Sequence, residues 1–202
     1  MQRNNSFYKL LGNQHFYSFS QKLFSTTAFE KKIVNDLVKK KPANILDIGC
    51  GPAEILESIK NVNYYGFDIN KNYIEHAKKR YRHNSKFFCK KFSAKKIKEK
   101  IKFDYVLLLG LLHHLNDKEV NFLLKDIKKV LKKNGTLLTY DPVYISNQNI
   151  IAKKFIDLDR GANVRTKKEY FRLLKKNFKN VKSKIYNQTF IPYTRLTTRC
   201  LI

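Results

Sequence analysis

Ile45-Leu46-Asp47-Ile48-Gly49-Cys50-Gly51-Pro52-Ala53 decides how this chain is read. An apolar run ends on a carboxylate and breaks at two glycines, the pattern of a buried strand entering a tight turn. Glycines there let a ligand press against backbone that a Cβ would obstruct. A dinucleotide site needs Gly-x-Gly-x-x-Gly, but counting from Gly49 the third glycine falls on Glu54, a carboxylate where a pyrophosphate would sit. A phosphate loop needs Gly-Lys-Ser/Thr at the helix start, and Pro52-Ala53-Glu54 is nothing like it. The turn therefore suits a cofactor that places no phosphate against it.

Outward from this turn, short apolar runs alternate with helical spacing. Asn44 to Ile48, Tyr64 to Asp68, Lys86 to Cys89, Phe103 to Leu109 and Thr136 to Asp141 read as strands, each followed by a helical stretch. Such βα units predict a parallel sheet with helices on both faces. The clearest helix is Asp117 to Lys132, where Val120, Leu123, Leu124, Ile127, Val130 and Leu131 recur at three- and four-residue intervals and Asn134-Gly135 supplies a stop. Thr166 to Lys176 reads as a helix, Val181 to Tyr186 with Phe190 to Leu201 as an edge hairpin, and Phe16 to Lys40 as a helical lid.

The chain has 202 residues, 43% of them hydrophobic, which suits one domain with a full core. No apolar run approaches the roughly 18 residues of a membrane span. Its 42 basic against 16 acidic residues give a net charge of +26, ordinarily a pointer to nucleic acid or anionic membrane. Only eight of the basic residues are arginine, and Asn, Ile, Phe and Tyr are abundant too, so A- and T-rich codons account for the charge as readily as a polyanion does. Cys50, Cys89 and Cys200 have neither metal nor disulfide spacing, and no metal is expected. The N-terminus lacks a signal-peptide pattern, so the expected compartment is a reducing cytoplasm.

Three motifs together resemble the class I S-adenosylmethionine-dependent methyltransferases of the small-molecule type. Asp47-Ile48-Gly49-Cys50-Gly51-Pro52-Ala53 matches the acidic residue and glycine turn after the first strand, with Ala53 in the third glycine's slot, where helix packing is expected. Gly66-Phe67-Asp68-Ile69-Asn70 places Asp68 roughly 20 residues beyond Asp47, where the ribose hydroxyls are held in Rossmann-like sites. Asn70 is free to cap the next helix in its place. Phe103 to Leu115, ending Gly110-Leu111-Leu112-His113-His114, resembles the fourth-strand motif beneath the methionine half of the cofactor, and Leu131 to Thr136 the turn into strand five. The resemblance implies a Rossmann-like α/β fold with a seven-stranded, mostly parallel sheet, an antiparallel edge hairpin and helices on both faces. One domain is implied: residues 1–41 as lid, 42–141 as cofactor core and 142–202 as acceptor-binding segment and edge strands. It implies S-adenosylmethionine as cofactor, held by Asp47, Gly49, Cys50, Gly51, Asp68, Ile69, Gly110 and Leu111. The family's acidic residue after strand three is missing from Cys89 to Ala94, which leaves Phe92 stacking, Ser93 and backbone groups for the adenine.

Methyl transfer from a sulfonium needs alignment and dry surroundings, plus a base where the acceptor must lose a proton. His113 is the candidate base and His114 a second catalytic candidate, although the second histidine of this motif often has a packing role. Adjacent histidines with no third ligand nearby make a poor zinc site. The base-flipping Asn/Asp-Pro-Pro-aromatic motif is absent, which disfavours nucleobase amino methylation. Acceptor contacts are expected from Tyr17, Asp141, Tyr144, Arg160 and Arg165, the two arginines suiting an anionic group, with pairing of Arg160 to Asp159 or Asp157 as the alternative. The expected activity is methyl transfer to oxygen or nitrogen of a small metabolite such as a sugar or lipid headgroup. An RNA methyltransferase and a non-catalytic cofactor- or nucleic-acid-binding protein are the other readings.

Overall fold

The computed structural model describes residues 28–39, 42–97, 101–159, 161–188 and 193–202. Five parallel strands follow in chain order: β1 (Ala43–Ile48), β2 (Val62–Asp68), β3 (Ser85–Cys89), β4 (Phe103–Leu109) and β5 (Leu131–Tyr144). Beyond them come a two-residue β6 (Arg165–Thr166), β7 (Asn180–Gln188) and β8 (Tyr193–Leu201). The sheet runs β3-β2-β1-β4-β5-β8-β7, with β6 pairing β5 off that path. β8 joins β5 antiparallel and β7 joins β8 antiparallel, so the expected edge hairpin is present. The helices are α1 (Ala28–Leu37), α2 (Lys71–Arg80), α3 (Asp117–Val130), α4 (Ile150–Asp157) and α5 (Lys167–Lys175).

Alternation along the central strands divides the core in two. Leu46, Ile48, Val106 and Leu108 pack with α3 and α5 through Leu124, Ile127, Leu173 and Leu174. Ile45, Tyr64 and Leu107 pack on the other face with Val34 and Leu37 of α1 and Ile74 of α2. Strand order reverses between β1 and β4, which opens a crevice at their C-terminal ends. Both ends of that crevice are glycine turns, at Gly49 to Gly51 and at Gly110.

Several local expectations are corrected. Among the described residues no α-helix follows β1 or β3 directly: Glu54–Glu57 and Ala94–Lys96 form single 3-10 turns. Eight residues between Ala53 and Val62 are too few for a helix and its return. α3 ends at Val130, and β5 starts at once; its pairing with β4 jumps from Phe103↔Leu131 to Tyr105↔Thr136, so Asn134-Gly135 lies in an irregularity of the strand rather than stopping the helix. α4 was not anticipated, because Asn149 to Asp157 carries apolar residues on more than one face. Of the helical stretch expected over Phe16 to Lys40, Ala28–Leu37 is helix; the remainder before Ala28, the bulk of the lid, lies outside the described residues. No helix among the described residues is long and apolar enough to cross a membrane.

Candidate active site

The glycine turn is tied to β2 by its own backbone: the Gly49 and Cys50 N–H groups both donate to the Phe67 carbonyl, at 2.7 and 3.1 Å. Gly49 and Gly51 take φ of 76° and 53°, a region that costs other residues about 1–2 kcal/mol. Ala53 also sits there, at φ 60°, fully buried and leading into a 3-10 turn, so its slot is a strained turn position and not a helix-packing one. A Cβ on Gly66 of β2 would lie 2.8 Å from Cys50 Sγ, so the neighbouring strand needs a glycine as well. Leu111 closes the other side, with Cδ1 3.1 Å from where a Gly49 Cβ would stand.

Two carboxylates flank the turn. Asp68 Oδ2 accepts the Gly51 N–H at 2.9 Å and Oδ1 the Asn70 N–H at 2.8 Å, while the Asn70 side chain caps α2. Asp68 is thus oriented by backbone and spared from capping. Asp47 is 2% exposed; its Oδ2 accepts the Tyr64 hydroxyl at 2.6 Å, and its Oδ1 has no hydrogen-bond partner among the described residues. Burial pushes the Asp47 carboxyl up to about 7, against the lowering from Tyr64, and Asp68 and Glu30 raise it further. Burial, then the charges of Asp47 and Asp68, pushes the Cys50 thiol far up, so it is no nucleophile. Ile69 is 78% exposed, an apolar side chain at the rim beside Asp68. This set fits S-adenosylmethionine: a fixed carboxylate for ribose hydroxyls, a buried acceptor that lacks a donor where an ammonium would supply one, and turns open at Cα. Phe92 does not serve as expected. It is buried edge-on to Phe67 at 5.3 Å, and Ser93 with the Ala94 N–H is engaged by Asp126.

Past β4, the chain makes a 3-10 turn at Leu112–His114 and buries His113. Asp141 Oδ1, at the end of β5, lies 2.9 Å from His113 Nδ1 and also accepts the His113 N–H at 3.2 Å. Asp159 Oδ1 stands 3.2 Å from Nε2. Asp159 is itself fixed by the Tyr193 hydroxyl and the Gly161 N–H, each at 2.7 Å. Burial alone would lower the imidazole; hydrogen bonds and charge from Asp141 and Asp159 override it and raise His113 to about 9. Burial would raise Asp159, but His113, Tyr193 and Gly161 hold it well below the usual carboxylate range. Gly161 admits no side chain, since a Cβ there would reach 2.0 Å from His113 Cδ2.

Asp159 and Tyr193 were missed by sequence reasoning, which offered Asp159 only as a partner for Arg160. The packing role expected of His114 is corrected: His113 is the buried histidine, and His114 is exposed with its ring 4.0 Å from that of His113. Asp159 does bring a third donor group within 4.8 Å of the pair, which no sequence spacing reveals. Arg165 is a correction. Its five N–H donors go to the carbonyls of Leu112, Asn163 and Leu115 and twice to Asp117, leaving none for an acceptor. The Tyr144 hydroxyl donates to Asp157 at 2.7 Å, at the far end of α4. Tyr17 and Arg160 lie outside the described residues.

Comparison with known proteins bears on the family and the fold. Residues 46–137 match the family described as "Methyltransferase domain". The "Ubiquinone biosynthesis O-methyltransferase" of Pelagibacter ubique (strain HTCC1062) is 33% identical over 125 residues, covering 60% of this chain and 49% of that protein. The chain thus spans about half the length of the curated relative it matches. Among solved structures, the plantazolicin methyltransferase BpumL, in complex with a pentazolic desmethylPZN analog and SAH, superposes with TM-score 0.66 at 17% identity over 95% of this chain and 92% of its own. The pyocyanin biosynthetic protein PhzM gives 0.73 at 16% over 97% and 62%, and the N-methyltransferase NodS from Bradyrhizobium japonicum WM9 gives 0.62 at 14% over 83% and 90%. At such identities the likeness is one of fold.

Proposed function

We propose that the chain, whose residues 46–137 match a methyltransferase domain, is a class I S-adenosylmethionine-dependent enzyme that transfers a methyl group to the oxygen of a small, neutral hydroxyl compound. The single observation that carries the proposal is His113, fixed between Asp141 and Asp159 just beyond β4. The chemistry the cofactor supplies when bound is an electrophilic methyl group on a sulfonium. Asp68 and Asp47 are the residues that would hold it, with the Gly49 to Gly51 turn and Gly110-Leu111 shaping the floor. His113 does the proton work, because a hydroxyl oxygen that gains a methyl group must lose its hydrogen. Asp141 keeps the proton on Nδ1, so Nε2 is the basic atom once neutral.

Asp159, held by Tyr193 and Gly161, stands at Nε2, the nitrogen that an acceptor hydroxyl would have to reach. With Asp141 it keeps the ring charged, so His113 is a base only at higher pH. Two carboxylates beside the base also repel an anion, and of the two arginines that suggested one, Arg165 is committed to carbonyls and Asp117, while Arg160 lies outside the described residues. An oxygen acceptor is supported by the curated O-methyltransferase relative.

The test is a methyl-transfer screen over neutral hydroxyl metabolites, lipid extract and total RNA, run with wild type and His113→Ala. We expect label in a hydroxyl compound and a loss of about 10²–10⁴ in kcat for His113→Ala with cofactor affinity kept. Activity should rise with pH towards about 9, because the base form is the deprotonated one, and Asp159→Asn should move that rise to lower pH. Label in RNA alone, or full activity in His113→Ala, would contradict the proposal.

A further inference from the structure

Three carboxylates act on one another about the end of β1, and their donors are unevenly shared. Asp68 accepts the Gly51 and Asn70 N–H groups. Glu30, in the first turn of α1, pairs at 3.1 Å with Arg195 of β8, whose guanidinium also lies 5.0 Å over the Tyr140 ring. Asp47 is left with one neutral donor, the Tyr64 hydroxyl on Oδ2. No described lysine or arginine pairs with it, and its Oδ1 is buried without a partner. Leu107 of β4 beside it is apolar, and the neighbouring Cys50 thiol, pushed far up by burial, keeps its proton. A buried carboxyl in that company takes up a proton more readily than it gives up water as an anion.

We propose that Asp47 selects the α-amino group of the cofactor by exchange, standing as the neutral acid in the free protein and giving its proton to solvent when the ammonium docks. The inference rests on the cofactor reading above. With the ribose on Asp68 at the end of β2 and the reacting methyl group towards His113 beyond β4, the amino-acid end comes over β1, the strand between them, where Asp47 stands. The carboxyl O–H bond breaks and its proton leaves to buffer. Oδ1 then accepts an N–H of the ammonium, which keeps its own charge, so a neutral ion pair replaces a neutral acid. Burial, with the charges of Asp68 and Glu30, lifts the Asp47 carboxyl to about 7 against the lowering from Tyr64. Docking needs the anion, so affinity levels off above pH 7 and falls towards tenfold per pH unit below about 7.

The test is calorimetric titration of S-adenosylhomocysteine, whose ammonium stays charged over this range, in phosphate and in an amine buffer of larger ionisation enthalpy. The difference in heat between buffers counts the protons released. Wild type should release about 0.9 proton per ligand at pH 6 and about 0.1 at pH 8. 5′-Methylthioadenosine, which keeps the ribose and base but has no amino-acid end, should bind and release none. Asp47→Asn should bind S-adenosylhomocysteine more weakly and without proton release. The comparison of the two ligands uses wild type alone, so it decides even where Asp47→Asn does not fold. Binding of S-adenosylhomocysteine without proton release at pH 6, equal release with methylthioadenosine, or release unchanged in Asp47→Asn would each overturn the exchange while leaving the cofactor site in place. Failure of S-adenosylhomocysteine to bind would overturn the cofactor reading and the exchange together.

Discussion

At Gly51 a Cβ would meet nothing within 4 Å, so Gly51→Ala isolates the backbone penalty of φ 53° and should cost about 1–2 kcal/mol in a denaturant titration. Gly49→Ala adds the crowding of Leu111 and should cost more. His113 offers a test of its two carboxylate partners. Its pKa rises from 6.5 unfolded to about 9 folded, so its stabilising contribution is full below pH 6.5 and disappears as pH climbs through 9. That amounts to about 3 kcal/mol. Chemical denaturation of the free protein from pH 6 to 10 should show this decline, and His113→Gln should flatten it; an unchanged slope would remove the ion pairs from the explanation. Asp68 and His113 were readable in the sequence because strand ends and glycine turns mark their places. Asp159, Tyr193 and Tyr64 were not, since their partners come from other elements and their own neighbours follow no pattern. Ala53 misled because residue size was legible and its φ was not.

α3 was legible as an element because it repeats apolar residues at helical spacing, and the structure adds that α3 and α5 each open on a capping box, Asn116 with Glu119 and Thr166 with Glu169. The 3-10 turn after β1 escaped because the eight residues between Ala53 and Val62, not local composition, leave no room for a helix there. Arg165 joins elements instead of serving a ligand: it ties the loop before β6 to the turn at Leu112–His114 and the first residue of α3. Its removal takes the guanidinium donor from three carbonyls, while the half-exposed Asp117 keeps Arg172. Arg165→Ala should therefore lower stability by about 3 kcal/mol, read as a lower denaturant midpoint, while the folded enzyme keeps its acceptor KM. A raised KM at unchanged stability would return Arg165 to the acceptor.

Across the whole molecule, the charge of +26 and the methyl-transfer site are separate matters. None of the groups around the glycine turn or His113 is a lysine, and β7, the exposed sheet edge, carries Lys182 and Lys184 where charge blunts strand-to-strand association. The surface alone predicts weak, sequence-blind RNA binding that fades steeply with salt. The five central strands were legible as alternating apolar runs; their order β3-β2-β1-β4-β5 and the placement of α4 required the packed structure. Calorimetric titration of S-adenosylmethionine into wild type and Asp68→Ala goes most directly to the cofactor site. One-to-one binding by wild type, weakened about 10–100-fold in Asp68→Ala through loss of charged hydrogen bonds, is the predicted result. No binding by wild type, or equal affinity in the two proteins, would contradict it.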